Sequence, residues 1–268
     1  MARPRVDRPG RSGDPREVDR PPFPAGPVGV LAIQGSFALH ERSLAALGVP
    51  SRLVRKPADL EGLSALVIPG GESTVMSLLL EKYDLFEAVQ RLGCASSGLP
   101  MLGTCAGAIL LGRGEGRPRR LELAPVQLER NAYGTQIDSF TAELELKPFA
   151  RPFHGVFIRA PRIVRCGAGT LGAGVAQGAS GASGALGPSG PADAAVAPVE
   201  VLGRHEDDPV LVACGNLLLA TFHPELTDDL RVHRFFIERF VLGSGHPTCA
   251  APEATAACSS ASPTRNPA

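Results

Sequence analysis

The sequence predicts an α/β protein: a doubly wound, mostly parallel sheet with added antiparallel strands, in a flavodoxin-like three-layer arrangement. Three observations carry this. Continuous apolar runs such as VGVLAI at 28–33 and ALVI at 65–68 have no polar face, the pattern of strands buried on both sides. Helical periodicities separate those runs. Beyond residue 121 the pattern changes to alternation, as in Ala142-Glu143-Leu144-Glu145-Leu146, which marks antiparallel strands with one wetted face.

Each element follows in order. After the 28–33 strand, Gln34-Gly35-Ser36 turns into a helix, with Ser36 as N-cap and Leu39, Leu44 and Leu47 on one face; Gly48 stops it. Residues 51–55 form a short strand, and the 65–68 strand ends at Pro69-Gly70-Gly71. Helical patterns cover about 73–92, residues 99–103 form a further strand, and a helix begins at 105–111. Antiparallel strands follow to 166 and resume at 199–202, 209–214 and 216–222, with turns at Asp208-Pro209 and Cys214-Gly215-Asn216. A last helix spans roughly 228–241.

Three segments stand apart by composition. Residues 1–27 are Arg-, Pro- and Gly-rich, residues 167–198 are an Ala/Gly-rich insertion with Asp193 as their one charge, and residues 243–268 are Ala/Ser/Pro-rich. None holds enough apolar surface to offset ordering entropy of about 1–2 kcal/mol per residue, so all three read as disordered. The folded unit is a single domain at 28–242, interrupted by the insertion.

Lys+Arg and Asp+Glu both number 27, so the net charge is zero, which argues against binding to nucleic acid or to a membrane surface by bulk charge. The apolar runs are strand-sized, far short of the roughly 20 residues of a membrane span. The N-terminus has no apolar stretch of the kind a secretory signal needs. Six cysteines show neither a CxxC pair nor metal-ligand spacing, so reduced thiols in the cytoplasm, no metal and no cofactor are expected.

In open α/β sheets ligands bind at the carboxyl ends of the strands, and three such ends carry unusual residues. Gly103-Thr104-Cys105-Ala106-Gly107 has the form of a nucleophile elbow, with glycines where side chains would clash in a sharp strand-to-helix turn. The turn sets the Cys105 sulfur at a helix N-terminus, where the helix dipole favours the thiolate. Cys94, Cys166 and Cys214 read as ordinary core cysteines. A cysteine nucleophile needs a base, and the base needs an orienting acceptor. Phe222-His223-Pro224-Glu225 follows a strand and supplies both, His223 as base and Glu225 as orienter. His40, His154, His205, His233 and His246 fall in helix, loop or tail contexts with no orienter at a strand end, so His223 is the preferred partner of Cys105. At Pro69-Gly70-Gly71-Glu72-Ser73 a Gly-Gly turn lets backbone approach a ligand, and the amides of Gly71 and Ala106 could form an oxyanion hole.

Together these motifs resemble the triad (class I) glutamine amidotransferases, whose elbow cysteine works with a His-x-Glu pair. Within them the sequence is most similar to the PdxT/SNO family, the glutaminase subunits of two-component pyridoxal 5'-phosphate synthase. The matching stretches include VLAIQG at 30–35, PGGEST at 69–74, GTCAG at 103–107, RNAYG at 130–134, VFIRAP at 156–161 and FHPELTDD at 222–229. The resemblance implies that Cys105 attacks the side-chain amide of L-glutamine, that His223 protonates the leaving ammonia and that water hydrolyses the glutamyl thioester. It further implies that Gly70, Gly71, Glu72, Arg130, Ile158 and Arg159 hold the glutamine. For Arg159 a structural ion pair stays equally open. The implied partner is the synthase subunit, which takes the ammonia for vitamin B6 biosynthesis, with Gln34 and its turn on the docking face and an oxyanion-hole peptide at Gly70-Gly71 that reorients on docking. The chain departs from the family at the 167–198 insertion, in the Arg-rich stretch 113–126 and at Thr135. Two other readings stay open: an amidotransferase subunit serving another acceptor, and a non-catalytic interaction module of the same fold.

Overall fold

The computed structural model describes residues 25–94, 98–130, 139–167, 169–170 and 198–243. Thr135, residues 1–24 and 244–268 of the tails and residues 168 and 171–197 of the insertion lie outside the described residues, whereas Gly169–Thr170, expected to be disordered, pairs as a short strand with Arg165 and Cys166. In chain order the strands are β1 (Val28–Leu31), β2 (Ser51–Val54), β3 (Ala65–Ile68), β4 (Met101–Thr104), β5 (Val126–Glu129) and β6 (Ser139–Leu144). They continue with β7 (Phe153–Ile158), β8 (Arg162–Cys166), β9 (Gly169–Thr170), β10 (Val199–His205), β11 (Asp208–Cys214) and β12 (Leu217–Ala220). The helices are α1 (Phe37–Ala46), α2 (Ser73–Lys82), α3 (Phe86–Cys94), α4 (Ala106–Leu111) and α5 (Arg231–Phe236).

Among the described residues the central sheet has seven strands in the order β10-β11-β12-β4-β3-β1-β2. From β12 to β2 every pair is parallel, while β10-β11-β12 are joined antiparallel. The apolar runs dictate this placement, because alternate side chains of one strand serve two cores. In β3, Leu66 and Ile68 pack with Met76 and Leu80 of α2 and with Phe86 of α3. Ala65 and Val67 pack with Leu44 of α1 and with Val232 and Phe236 of α5 on the opposite face. Two smaller antiparallel sheets, β5-β8-β9 and β6-β7, cover the flanks. The expected fold class is the observed one.

Three boundaries differ from expectation. The 73–92 pattern is two helices, broken where Asp84 takes a φ of 58°. The C-terminal helix changes after Phe236 into a π-helical turn, Ile237–Val241. Asp208-Pro209 opens β11 instead of forming a turn, which sits at Glu206-Asp207 with Glu206 at φ 53°. The proline is tolerated there because β12 pairs with β11 only from Leu211 onward. Gly48 (φ 72°) and Gly215 (φ 55°) do punctuate the chain as expected.

Cys105 leaves the carboxyl end of β4. The two anchors of the insertion lie at the other edge: β8 ends with Cys166 opposite Val126, and β10 starts with Val199 opposite Cys214, at the turn that leads into the amino end of β12.

Candidate active site

The elbow is built as its glycines require. Cys105 stands between β4 and α4 with φ 47° and ψ −104°, a conformation that side-chain-bearing residues avoid and that stores about 1–3 kcal/mol. A Cβ on Gly107 would come within 2.0 Å of the Ile68 carbonyl oxygen, and one on Gly103 within 2.8 Å of the Gly107 backbone. Only glycines let β3, β4 and α4 close this tightly. The Cys105 amide donates to the Ala220 carbonyl at 2.8 Å, tying the elbow to β12.

That tie fixes His223, three residues beyond Ala220. Its amide donates to the Val156 carbonyl (2.8 Å), and its ring and the Cys105 side chain share the cavity wall. A single 3-10 turn, Pro224–Leu226, carries Glu225 back beneath the ring, where Nδ1 lies 2.8 Å from Glu225 Oε1. Cys105, His223 and Glu225 are thus brought together, all buried. Burial disfavours the charged ring of His223, but the hydrogen bonds and charges of Cys105 and Glu225 outweigh it and raise its pKa to about 10. Burial likewise opposes ionisation of Glu225, and His40, His223 and the Ser36 hydroxyl overcome it, holding the carboxyl well below the usual range.

A cavity of about 240 Å³ opens on Cys105. Its walls include the expected Gly71, Glu72, Ala106, Arg130, Ile158 and Arg159, together with His223. The Cys105 sulfur also faces the Ile158 carbonyl at 3.8 Å. Glu72 caps α2, accepting from the amides of Thr74 (3.1 Å) and Val75 (2.7 Å), and it pairs with Arg130 (3.0 Å). Slight burial works against its charge, yet these amides, the Thr74 hydroxyl and Arg130 keep the carboxyl below its ordinary range. Arg130 also donates to the Thr74 hydroxyl (2.9 Å), so its guanidinium is aimed before any ligand arrives. Arg159, at φ 43°, lines the cavity and has no acidic partner within salt-bridge distance among the described residues.

Some expectations need correction. Gly70 lies behind the ring instead of lining the cavity: a Cβ there would sit 2.2 Å from His223 Cε1. Ser36 holds the N-cap position but makes no capping bond; its hydroxyl donates to Glu225 Oε1 at 2.6 Å and to the Gly70 carbonyl at 3.3 Å. Gln34, at its strand end, also lines the cavity and accepts the Glu72 amide at 3.0 Å. Cys94 is exposed and Cys166 half-buried, so only Cys214 of the three is a core cysteine; burial pushes its thiol up to about 11. Residues 131–134 of the RNAYG stretch fall outside the described residues.

Sequence reasoning missed His40, Thr104 and His233, which pack behind Glu225. His40 Nε2 lies 3.4 Å from Glu225 Oε2 and 3.2 Å from Thr104 Oγ1, and His40 Nδ1 lies 2.9 Å from His233 Nε2. The signal was present: His40, Ser43 and Leu44 share the i, i+3, i+4 face by which α1 meets the sheet.

Residues 30–177 match the family model described as the SNO glutamine amidotransferase family. The pyridoxal 5'-phosphate synthase subunit PdxT of Pelotomaculum thermopropionicum is 46% identical over 218 residues, covering 80% of this chain and 95% of that protein. PdxT of Moorella thermoacetica is 42% identical over 215 residues, covering 79% and 97%. A crystal structure of a glutamine amidotransferase superposes with a TM-score of 0.65 at 41% identity, covering 81% of this chain and all of that one.

Proposed function

This chain belongs to the SNO glutamine amidotransferase family, and on that premise we propose that it is the glutaminase subunit of pyridoxal 5'-phosphate synthase. It hydrolyses L-glutamine to glutamate and delivers the ammonia to the synthase subunit. The carrying observation is the strained Cys105 held against a buried His223–Glu225 pair at the floor of the cavity.

The chemistry follows from the geometry. The Cys105 thiolate adds to the side-chain carbonyl carbon of glutamine, and the amides of Gly71 and Ala106 receive the developing oxyanion. A donor of this kind is worth about 10²–10³ in rate. His223, an imidazolium at neutral pH because its pKa is raised to about 10, gives its proton to the departing nitrogen as the C–N bond breaks. Neutral His223 then takes a proton from water, which attacks the thioester and releases glutamate and the thiolate. Glu225 holds the ring in the tautomer that keeps Nε2 toward sulfur. Arg130 and Arg159 supply the cations that the α-carboxylate of glutamine calls for.

Free ammonia would be largely protonated in neutral water and lose its nucleophilicity, which favours direct transfer to the synthase subunit. No helix among the described residues is long and apolar enough to cross a membrane. The protein works in the cytoplasm, where Cys105 stays reduced. The test is glutamate release from glutamine by this protein alone and with a synthase subunit from the same source. Strong activation by the partner supports both the chemistry and the pathway. Activity indifferent to the partner reassigns the acceptor, and no activity in either case favours an interaction module.

A further inference from the structure

Glu225 is the most deeply held member of the triad, and its two oxygens are treated differently. Oε1 accepts from Ser36 and from His223, whereas Oε2 has no hydrogen bond within ordinary distance although it is buried. The nearest facing group is His40 Nε2, at 3.4 Å. Which atom of His40 carries the proton follows from its other nitrogen. The 2.9 Å contact between His40 Nδ1 and His233 Nε2 needs one hydrogen, and there are two ways to place it.

If His40 donates from Nδ1, its Nε2 is a bare lone pair turned toward an anionic oxygen. The His233 proton then sits on Nδ1, a buried nitrogen with no acceptor. The Thr104 hydroxyl then donates to His40 Nε2 at 3.2 Å, but the lone pair still faces Oε2 and the His233 Nδ1 donor is left unmatched. If His233 donates from Nε2, the His40 proton moves to Nε2, where it bonds Thr104 Oγ1 at 3.2 Å with the Glu225 Oε2 anion alongside at 3.4 Å. Only the lone pair of His233 Nδ1 then goes without a partner, and a buried acceptor left unpaired is the more readily tolerated defect.

Building on the triad reading above, we propose that His40 is a positioning residue for Glu225: a neutral imidazole that presents its Nε2–H to Thr104 and to the Oε2 anion 3.4 Å away, with its tautomer set by His233. Burial lowers the pKa of both rings, which keeps them uncharged at neutral pH and leaves His223 as the one imidazolium facing the carboxylate. A charged His40 would compete with His223 for Glu225; a neutral one fixes the carboxylate without drawing its charge away.

The test uses the protein with its synthase subunit and two variants that a purely structural role would rank in the opposite order. His40→Leu fills the space without a donor. His40→Gln carries an amide N–H the same number of bonds from Cβ as Nε2. The expected result is a kcat lowered about ten- to a hundredfold in His40→Leu, the range for a hydrogen bond to a buried charge, with KM unchanged and most of kcat restored in His40→Gln. Leu as active as wild type, or Gln no better than Leu, overturns the proposal. His223→Gln serves as control: if it abolishes turnover while His40→Leu is as active as wild type, only the positioning role fails; if His223→Gln also keeps turnover, the triad reading fails as well. Should His40→Leu not fold, the histidine ¹⁵N spectrum of the wild-type protein decides. Neutral rings protonated at Nε2 support the assignment, and His40 protonated at Nδ1 or charged overturns it.

Discussion

Gly70→Ala perturbs the catalytic base through a single methyl group. Gly70 does not have a left-handed φ, so alanine meets no conformational barrier. The added Cβ would lie 2.2 Å from His223 Cε1 and 2.7 Å from Nδ1, against ordinary contacts of 3.4–4 Å. The ring must therefore retreat by about 1.2 Å or more, because the Gly70 carbonyl is pinned by the Ser36 amide at 3.0 Å. Such a shift breaks the 2.8 Å bond to Glu225 and misaligns the ring with Cys105. A misplacement of about 1 Å costs roughly 10²-fold in rate, about 2.7 kcal/mol. The assay is steady-state glutamate release with the synthase subunit present, alongside a thermal melt. A fall in kcat of about a hundredfold with little change in Tm is expected. A kcat within threefold of wild type would refute the ring-displacement reasoning, as would a rise in KM with kcat intact, the signature of a residue that only holds substrate.

Other outcomes can be measured on the same protein. Cys105→Ala should keep the fold and abolish glutamine hydrolysis, while Cys105→Gly should also melt higher, by about 1 kcal/mol in denaturant unfolding, because glycine relieves the strained φ. Glu72→Ala removes the cap from the Thr74 and Val75 amides and the partner of Arg130; a loss of about 1 kcal/mol and a raised KM for glutamine are expected from unfolding and kinetic measurements. Stability should also depend on pH on both sides of neutrality. Burial depresses the folded pKa of His233 to about 3, so below its ordinary value of 6.5 the unfolded chain binds the proton more readily and stability falls by about 1.4 kcal/mol per pH unit. Glu225, also depressed, adds to the loss below 4.5. The raised pKa of His223 stabilises fully below 6.5, and that contribution fades as pH climbs toward about 10. His233→Leu should reduce the slope of the denaturant midpoint between pH 4.5 and 6.5, His40 carrying what remains; an unchanged slope there would assign the acid limb to other groups.

What the sequence discloses depends on how local the determinant is. Cys105 is legible because the elbow is encoded in five consecutive residues, and the two flanking glycines answer to clashes within the turn and with the adjacent strand. Glu225 is legible because it stands two residues from His223. The buried strands are equally plain, since a strand serving two cores has no room for a polar position. Ser36 and His40 are not, although they belong to the same site. They reach Glu225 across 189 and 185 positions, and a serine before a helix has a local reading as a cap that the tertiary contact overrides. The family resemblance puts Gly70 against the substrate, yet the space beside its Cα is taken by the His223 ring, a contact set by how β12 lies beside β4 in the sheet. The break at Asp84 escapes the apolar period because Leu80, Leu85 and Phe86 keep the core face supplied straight through it.

The placement of the insertion anchors has a practical reach. Cys166 and Val199 flank the opposite rim of the sheet from Cys105, so cargo joined between them departs away from the mouth through which glutamine enters. A fluorescent protein or an affinity handle spliced there would leave substrate access open. Lineages could likewise lengthen or shorten this stretch without touching the chemistry, which makes it a natural place for gene-level experimentation on an otherwise closely constrained scaffold.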